Sequence, residues 1–238
     1  GGANDFGDLT LGRRSFAGAG NNTRGIFFGG NTPTRQSIID FITIATTGNA
    51  TGFGALGVNA GNDSTEGGFG NDDNAACSSP TRAFVFGSGN MTNVIQFVTI
   101  STRGDSQDFG DLTQGNVRFP AGLSSNTRGV SGGGRQPSPL NQVNIIQSFE
   151  MATLGNSTNF GDLSQSRELL ASASSRTRGL FAGGYIPSPA VTYNVIDSIT
   201  IASASNATDF GDLTYSGQTN GASRTFSGCS DVNGGIGD

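Results

Sequence analysis

The side chains that could carry chemistry in this sequence are arginines and aspartates. The chain of 238 residues has no His and no Lys, and of its 18 acidic residues only Glu66, Glu150 and Glu168 are Glu. The missing His and Lys remove the commonest general base and metal ligand, together with any Schiff-base or phosphate-loop lysine. We therefore predict a protein that is not an enzyme and that holds no cofactor and no metal. A carboxylate pair for glycoside hydrolysis stays open on the sequence alone.

The aspartates belong to a repeated stretch. Asp-Phe-Gly-Asp-Leu-Thr reads without change at 5–10, 108–113 and 209–214, with variants at 159–164 and 52–57. Its phenylalanines are between 47 and 56 residues apart, and a period near fifty residues is typical of propellers and other repeat arrays. We predict that these Phe side chains pack between repeats and that the second Asp holds a turn. The phenylalanines are Phe6, Phe53, Phe109, Phe160 and Phe210, and the aspartates are Asp8, Asp111, Asp162 and Asp212.

Each repeat has four short segments with the character of strands, named a, b, c and d. Segment a begins with Arg24, Arg82, Arg128 or Arg178. Segment b is apolar and β-branched on both alternating faces, as at 38–44, and segment c follows the Phe-Gly-Asp-Leu turn. Segment d is the run at 14–19, 118–123, 167–173 and 224–230. Short apolar runs closed by glycines predict strands, and nothing in the chain has sustained helical periodicity.

Four strands in each unit of about fifty residues predict one all-β domain over 1–238, a β-propeller. The pattern gives a partial unit at 1–22 and units at about 23–80, 81–126, 127–176 and 177–238. We expect five blades, one of them incomplete, with a four-bladed ring as the alternative. An incomplete blade has unpaired strand edges, so an oligomer formed through that blade is a further alternative.

Two sets of residues carry a resemblance to known proteins. The pairs Gly29-Gly30 and Gly183-Gly184 resemble those of kelch repeat proteins, although the Trp and the Tyr position of kelch blades are missing. The stretch 177–214, with Thr-Arg-Gly-Leu-Phe-Ala-Gly-Gly, Asn-Val-Ile-Asp and Asp-Phe-Gly-Asp-Leu-Thr, is similar to repeats in tail-fibre and other virion proteins of marine phages, cyanophages especially. The resemblance covers essentially the whole chain. It implies a virion or extracellular location and attachment to a host-surface glycan or receptor.

The connections between segments differ in how much their lengths vary. If the strands alternate in direction, the b–c and d–a connections share one end of the molecule, and the a–b and c–d connections share the other. The b–c connection has a constant length, whereas the other end carries long versions at 57–74, 134–144 and 185–194. Variable loops on a fixed scaffold are typical of recognition, although insertions are also tolerated at an idle face.

We predict that ligand contacts lie at this variable end, since Tyr and Arg stack on sugars and carboxylates accept their hydroxyls. The candidates are Arg135, Gln136, Tyr185, Tyr193, Asp63, Glu66 and Phe69. The competing prediction is a purely structural propeller that packs on other virion proteins or on its own copies.

The constant end is predicted to be structural. The four arginines of segment a and the repeated aspartates lie there, so Arg–carboxylate pairs and Asp bonds to turn amides are expected. A ring of carboxylates for Ca²⁺ is the weaker alternative, because each turn offers too few oxygens. Arg103-Gly104-Asp105-Ser106 is an integrin-type adhesion sequence, but it occupies the constant b–c turn and is interpreted as an ordinary variant of it.

Charge and cysteine content narrow the partners further. The net charge is −5 without basic clusters, so we expect neither nucleic acid nor an anionic membrane as a partner. No apolar run approaches the roughly 20 residues needed to span a bilayer, which predicts no membrane insertion. Cys77 and Cys229 lie at equivalent positions of their repeats and are expected to be small buried residues without a disulfide.

Overall fold

Four antiparallel sheets of four strands each follow one another along the chain. The computed structural model describes residues 2–57, 73–90, 92–113, 115, 117–137 and 140–214. The strands are β1 (Ala17–Gly20), β2 (Arg24–Phe28), β3 (Ile38–Thr43), β4 (Thr51–Ala55), β5 (Ala75–Ser78), β6 (Arg82–Phe86), β7 (Val94–Thr99), β8 (Gln107–Asp111), β9 (Ala121–Ser124), β10 (Arg128–Gly132), β11 (Arg135–Pro137), β12 (Leu140–Gln142), β13 (Ile145–Glu150), β14 (Thr158–Asp162), β15 (Ala171–Ser174), β16 (Arg178–Ala182), β17 (Tyr185–Pro187), β18 (Ala190–Thr192), β19 (Val195–Thr200) and β20 (Thr208–Asp212). None of the described residues lies in a helix, so none belongs to a helix able to cross a membrane. The predicted all-β character is confirmed.

Each sheet takes its strands in the order d, a, b, c. Sheet 1 is β1-β2-β3-β4, sheet 2 is β5-β6-β7-β8, sheet 3 is β9-β10-β13-β14 and sheet 4 is β15-β16-β19-β20. The first strands contact one another in succession, β1 with β5, β5 with β9 and β9 with β15, and they form the inner edge of the array. Segment d of one sequence unit therefore joins the sheet of the next unit, and the repeated Phe stretch lies at the opposite edge.

The alternating strand directions place the connections at two ends. The turn end carries the links from first to second strand and from third to fourth strand, such as 21–23 and 44–50. The hairpin end carries the links from second to third strand and from each sheet to the next. The link from second to third strand forms an additional hairpin in two sheets, β11–β12 in sheet 3 and β17–β18 in sheet 4.

The repeated Phe-Gly stretch, which is Asp-Phe-Gly-Asp in sheets 2 and 4 and a variant of it in sheets 1 and 3, forms the outermost strand of all four sheets, so its prediction as a turn that enters segment c was wrong. In sheet 1, Ile39 pairs with Gly54 and Asp40 with Gly52, which leaves Phe53 as the extra residue of a β-bulge. The same register shift occurs in the other three sheets. A bulge re-aims a side chain. Here the bulged residue is the repeated phenylalanine, whose side chain projects away from its own sheet.

Three apolar cores fill the spaces between consecutive sheets. Phe53 shares a core with Val98 and Ile100 of sheet 2, Phe109 with Phe149 and Met151 of sheet 3, and Phe160 with Ile199 and Ile201 of sheet 4. These three phenylalanines are 3–4% exposed, which agrees with packing between repeats. The outlying members, Phe6 at 36% and Phe210 at 52%, are exposed at the two ends of the array.

Hydrogen bonds tie each outermost strand to the turn of the next sheet. Between sheets 2 and 3, Gly155 N donates to Phe109 O at 2.9 Å and Ser157 N donates to Asp111 O at 2.8 Å, while Asn156 Oδ1 accepts from Asp111 N at 2.9 Å. The same three bonds join sheet 1 to sheet 2. Two of them, from Ala207 N to Asp162 O and from Asp162 N to Asn206 Oδ1, join sheet 3 to sheet 4. We call this set of contacts the strand–turn junction.

A serine ladder links the inner edge. Ser78 Oγ donates to Gly20 O at 2.6 Å, Ser124 Oγ donates to Ser78 O at 2.9 Å and Ser174 Oγ donates to Ser124 O at 2.9 Å. Because both edges of the sheets are bonded to their neighbours, the apolar cores between them have a fixed thickness.

The junction predicts different costs for two alanine substitutions. Gly161 and Gly211 have φ of 154° and 139°, values that strain any other residue by about 1 kcal/mol. A Cβ at Gly161 would also overlap the carbonyl oxygen of Ser205, whereas a Cβ at Gly211 would meet nothing within 4 Å. We expect Gly211→Ala to lower the free energy of unfolding by about 1 kcal/mol and Gly161→Ala by about 3 kcal/mol in urea titrations. Equal losses would contradict close backbone approach as the reason for glycine.

Candidate functional site

The hairpin end is organised by four residues that precede the innermost strands. Ser15, Asp73, Phe119 and Leu169 have φ between 54° and 60°, a region that residues other than glycine rarely adopt. Asp73 N donates to Ser15 O at 3.1 Å, Phe119 N to Asp73 O at 3.0 Å and Leu169 N to Phe119 O at 3.4 Å. The left-handed conformation thus accompanies a chain of backbone hydrogen bonds that links successive sheets at this end.

Two ion pairs and an aromatic ring meet beside these residues. Arg118 donates through Nε and Nη2 to Asp73 Oδ2 at 3.0 and 2.7 Å, and its guanidinium carbon lies 4.4 Å from the centroid of Phe119. Arg135 Nε lies 2.7 Å from Glu168 Oε2, and Arg135 Nη2 donates to Glu168 Oε1 at 3.0 Å. We call Asp73, Arg118, Phe119, Arg135 and Glu168 the charged cluster.

The charged cluster exposes its cations more than its anions. The side chains of Glu168 and Asp73 are 2% and 9% exposed, against 31% for Arg118 and 22% for Arg135. Gln142 Nε2 adds a hydrogen bond to Glu168 Oε2 at 3.2 Å. The charges balance, while planar guanidinium groups beside an aromatic ring reach solvent. Such groups can stack on a sugar ring and donate to its hydroxyls.

The two extra hairpins extend from this cluster. The backbones of Arg118 and Arg135 exchange hydrogen bonds of 2.9 and 2.8 Å, and those of Glu168 and Tyr185 exchange bonds of 3.0 and 2.8 Å. Both hairpins contain the sequence Pro-Ser-Pro, whose first proline ends one strand and whose other two residues connect it to the next, with different residues on either side. Proline restricts a loop before a ligand arrives and so reduces the entropy lost on binding.

The predicted ligand contacts fall into three groups. Arg135 belongs to the charged cluster, and Gln136 and Tyr193 are half-buried at the same end. Tyr185 is only 8% exposed, which leaves little of its surface for a ligand. Asp63, Glu66 and Phe69 lie outside the described residues.

Sequence reasoning missed Asp73, Arg118, Phe119 and Glu168. Arg118 and Glu168 hold equivalent positions, just before the residue with positive φ, and a comparison of repeats at that position shows opposite charges. No such signal marks the conformation itself, since Ser15, Asp73, Phe119 and Leu169 share no residue type.

A buried polar residue occupies the third position of segment b in every sheet. In sheet 4, Asp197 Oδ2 lies 2.7 Å from Arg167 Nη2 and accepts from Ser164 Oγ at 3.0 Å, with both charged side chains fully buried. Sheet 1 has the equivalent pair of Arg13 and Asp40 at 2.7 Å. Burial lowers the pKa of Arg167, and the carboxylate of Asp197 offsets part of that shift.

Sheets 2 and 3 use a neutral set at the same position. Gln96 Oε1 accepts from Ser106 Oγ at 2.5 Å, and Gln147 Oε1 accepts from Ser157 Oγ at 2.8 Å. Whether the set is neutral or charged depends on the last residue of the b–c turn. Where that residue is Ser106 or Ser157 the buried residue is Gln, and where it is Ala50 or Ala207 the sheet has the Arg–Asp pair. Segment b therefore carries an acceptor in all four sheets, and the donor comes either from a turn serine or from an arginine.

Three of the four arginines of segment a donate to backbone carbonyls of the next sheet. Arg24 Nη1 donates to Ile100 O at 2.7 Å, Arg82 Nη1 to Met151 O at 3.0 Å and Arg128 Nη1 to Ile201 O at 2.9 Å. Of the four, Arg128 also pairs with a carboxylate, Glu150, at 2.7 Å.

The second aspartates of the repeated stretch do not lie beside the arginines of segment a, so that prediction was wrong. Asp111 and Asp212 end their strands opposite Val94 and Val195, the first residues of segment b, at the end away from the b–c turns. Among the described residues, Asp8, Asp111, Asp162 and Asp212 form no ion pair, so the expected Arg–Asp pairs are not seen. Bonds to nearby amides are made instead by the first aspartate of the stretch: Asp108 and Asp209 accept from the amide two residues on, at 3.1 and 2.9 Å. No group of three or more potential metal-ligating side chains occurs in the described part of the chain.

The adhesion-like sequence and the described cysteine both have structural environments. Gly104 N donates to Phe53 O at 3.0 Å and Asp105 Oδ1 accepts from Ala55 N at 2.8 Å, so this turn belongs to a strand–turn junction. Cys77 is buried and free, and burial raises the pKa of its thiol. Cys229 lies outside the described residues.

Comparison with known proteins supports the fold alone. No protein-family model matches the sequence, and no curated protein is similar to it. A solved structure titled "Structure of YjhT" superimposes with a TM-score of 0.69 at 10% sequence identity, over 87% of this chain and 67% of that chain. This likeness and the four antiparallel four-stranded sheets are consistent with a propeller-like fold.

The charged set of sheet 4 should be replaceable by the neutral set of sheet 3. Asp197→Ala leaves the buried Arg167 without its carboxylate, so we expect a loss of about 3–5 kcal/mol in unfolding free energy. The triple variant Arg167→Val, Asp197→Gln, Ala207→Ser reproduces the residues of sheet 3 and is expected to stay within about 1–2 kcal/mol of the parent. Urea unfolding of both variants provides the measurement. A triple variant as unstable as Asp197→Ala would show that the sets are not interchangeable.

Proposed function

We propose that this chain is a non-enzymatic β-propeller module of a phage virion appendage, located on the virion, and that its hairpin end binds a glycan or receptor on the host surface. The observation that carries the binding role is the charged cluster beside two proline-tipped hairpins, at the end of the scaffold where connection lengths vary. The chain has no His and no Lys, which favours recognition over catalysis. The virion assignment rests on the resemblance of the repeats to tail-fibre proteins.

A neutral glycan fits this end best. Arg118 uses Nε and Nη2 for Asp73, which leaves Nη1 to donate to a hydroxyl. Because each guanidinium is paired with a carboxylate, the cluster has no net charge with which to select an anionic sugar. Phe119 and the guanidinium planes supply the stacking surface that sugar rings prefer.

We further propose that the sheets are blades of a five-bladed ring. A four-bladed ring would require sheet 4 to pack directly on sheet 1. Residues 6–8 already bond to the turn of sheet 1, where Gly48 N donates to Phe6 O at 2.8 Å and Ala50 N donates to Asp8 O at 2.8 Å. This occupied turn favours five blades over four.

A second candidate function is assembly without a receptor. The observation in its favour is Phe210, which is 52% exposed although its counterparts in sheets 1–3 are buried in cores. In that case the module would pack on other virion proteins or on its own copies.

Glycan binding can be tested with matched variants at the two ends. We expect the full chain to bind neutral oligosaccharides on a glycan array, and Asp73→Ala with Arg118→Ala to weaken binding at least tenfold, since the double variant removes the donors without orphaning a charge. Glu150→Ala with Leu154→Ala, which removes exposed side chains at the turn end, should leave binding unchanged. Thermal unfolding of each variant controls for loss of fold. Absence of any glycan binding, or equal loss in both double variants, would contradict the proposal.

A further inference from the structure

A groove of about 280 Å³ lies at the turn end of sheet 3. Its walls come from β10, β13 and β14 and from the b–c turn that joins the last two. The side chain of Glu150 is 55% exposed and Leu154 is 64% exposed, so both reach solvent at its rim. Sheet 3 has a described sheet on either side, so the groove is not at an end of the array. Sites for drug-sized ligands are usually larger, and this one has room for a single long side chain.

Three lining residues set this groove apart from the same place in the other sheets. They are Ser148 and Glu150 of segment b and Leu154 of the turn. Their counterparts, in order, are Phe41, Thr43 and Thr47 in sheet 1, Phe97, Thr99 and Arg103 in sheet 2, and Ser198, Thr200 and Ala204 in sheet 4. Among the four described sheets, only sheet 3 has a carboxylate at the second position and a large apolar side chain at the third. The repeat itself therefore does not require them.

The small side chain of Ser148 leaves room beside the arginine of segment a. In sheets 1 and 2 the guanidinium of this arginine lies 4.8 Å from the centroid of the phenylalanine ring at the counterpart position. Sheet 3 has no ring there, and Arg128 pairs with Glu150 instead. Because Arg128 and Ser148 both line the groove, the space between the ion pair and segment b is accessible to a ligand.

The groove presents an acceptor rather than a donor. Arg128 directs Nε and Nη2 to Glu150 Oε1 at 2.8 and 2.7 Å, and Nη1 to the carbonyls of Ile201 and Ala202 at 2.9 and 3.0 Å. Glu150 Oε2 has no partner in the described part of the chain. A carboxylate held in place with one open oxygen favours a cationic donor, and the net charge of −5 favours the approach of cations.

One open oxygen suits an ammonium group better than a guanidinium. A guanidinium pairs most strongly as a fork that contacts both carboxylate oxygens, and Arg128 already holds Oε1 of Glu150. An ammonium is a compact charge for which one oxygen suffices. Leu154 supplies apolar surface for the aliphatic stem of a lysine whose charged head reaches Glu150. The chain has no Lys, so the side chains of its own copies do not supply this ligand.

The turn that carries Leu154 is held in place before a ligand arrives. Gly155 N donates to Phe109 O at 2.9 Å, and Asn156 Oδ1 accepts from Asp111 N at 2.9 Å. These bonds belong to the strand–turn junction between sheets 2 and 3. A preformed wall reduces the entropy lost on binding.

We propose that this groove binds a lysine side chain of a partner protein, with the ammonium on Glu150 Oε2 and the stem along Leu154. Both residues stand at the rim, so a lysine that projects from another protein enters from solvent. The proposal does not rest on glycan binding, which is assigned to the opposite end of the sheets. One charged hydrogen bond and one apolar contact give an isolated lysine a Kd on the order of millimolar.

Titration of the isotope-labelled chain with Nα-acetyl-lysine methylamide, followed by the amide chemical shifts in NMR, tests the proposal. We expect saturable shifts at the amides of residues 150–158. Glu150→Gln keeps the shape of the side chain and removes its charge, so it should weaken binding about tenfold. Asp212→Asn removes an exposed carboxylate elsewhere and is the matched control, which should bind as the parent does. Absence of saturable shifts, or unchanged binding by Glu150→Gln, would overturn the proposal.

Two further probes test the assignment of an ammonium. Acetylation of the probe's ε-amino group keeps the stem and removes the charge, so the acetylated probe should not bind. Nα-acetyl-arginine methylamide should bind more weakly than the lysine probe, because Glu150 offers it no second oxygen. An arginine probe that binds as tightly as the lysine probe contradicts the assignment.

The lysine and glycan sites can be separated with the two double variants of the glycan experiment. Glu150→Ala with Leu154→Ala should lose the lysine probe and keep glycan binding, whereas Asp73→Ala with Arg118→Ala should do the reverse. A chain that binds the lysine probe and no glycan refutes the glycan proposal alone, and the opposite result refutes the lysine site alone. Unchanged binding of the lysine probe by Glu150→Ala with Leu154→Ala also refutes the lysine site.

Discussion

The strand–turn junction is the contact on which the rest of the array depends. In sheets 1 and 2, two carbonyls of the outermost strand accept from two amides of the next turn, and in sheet 3 one carbonyl does so. In all three, an amide of the strand bonds to an Asn or Asp side chain of that turn. The glycine between those carbonyls lies so close to the facing turn that no side chain fits. An inserted residue in the turn would move both amides out of register. This explains why the b–c connection keeps one length while the opposite end varies.

The buried polar position of segment b shows a second constraint, since it must find a donor in a space without water. A turn serine supplies the donor to Gln96 and Gln147, and an arginine supplies it to Asp40 and Asp197. Buried ion pairs rarely stabilise more than a neutral set of the same shape, because desolvation offsets the attraction. The two solutions can therefore alternate within one chain without disturbing the sheets.

The sequence was sufficient to predict the strands of segments a, b and d, the four-stranded repeat and the division into a constant and a variable end, because these follow from local composition and spacing. It failed where the structure depends on pairing between strands or on contacts between residues that are far apart in the sequence. The bulge at Phe53 and its counterparts turned an expected turn into a strand, and pairing partners rather than residue types produce a bulge. Arg118 meets Asp73 across 45 residues and Arg135 meets Glu168 across 33, which no periodicity reveals. Tyr185 was selected for its side chain, but its position in a bridge to Glu168 buries it.

The hairpin end can vary because its backbone is fixed independently of its side chains. Arg14, Arg118 and Glu168 occupy one repeat position, and each exchanges two backbone hydrogen bonds with the residue that follows a glycine pair. Their side chains take no part in those bonds, so charge and size at this position can change while the sheets stay in place. The charged cluster arises where three successive sheets bring such changes together. The repeat thus leaves these positions unconstrained, whereas the Asp-Phe-Gly-Asp-Leu-Thr stretch, which holds the sheets together, recurs with few changes.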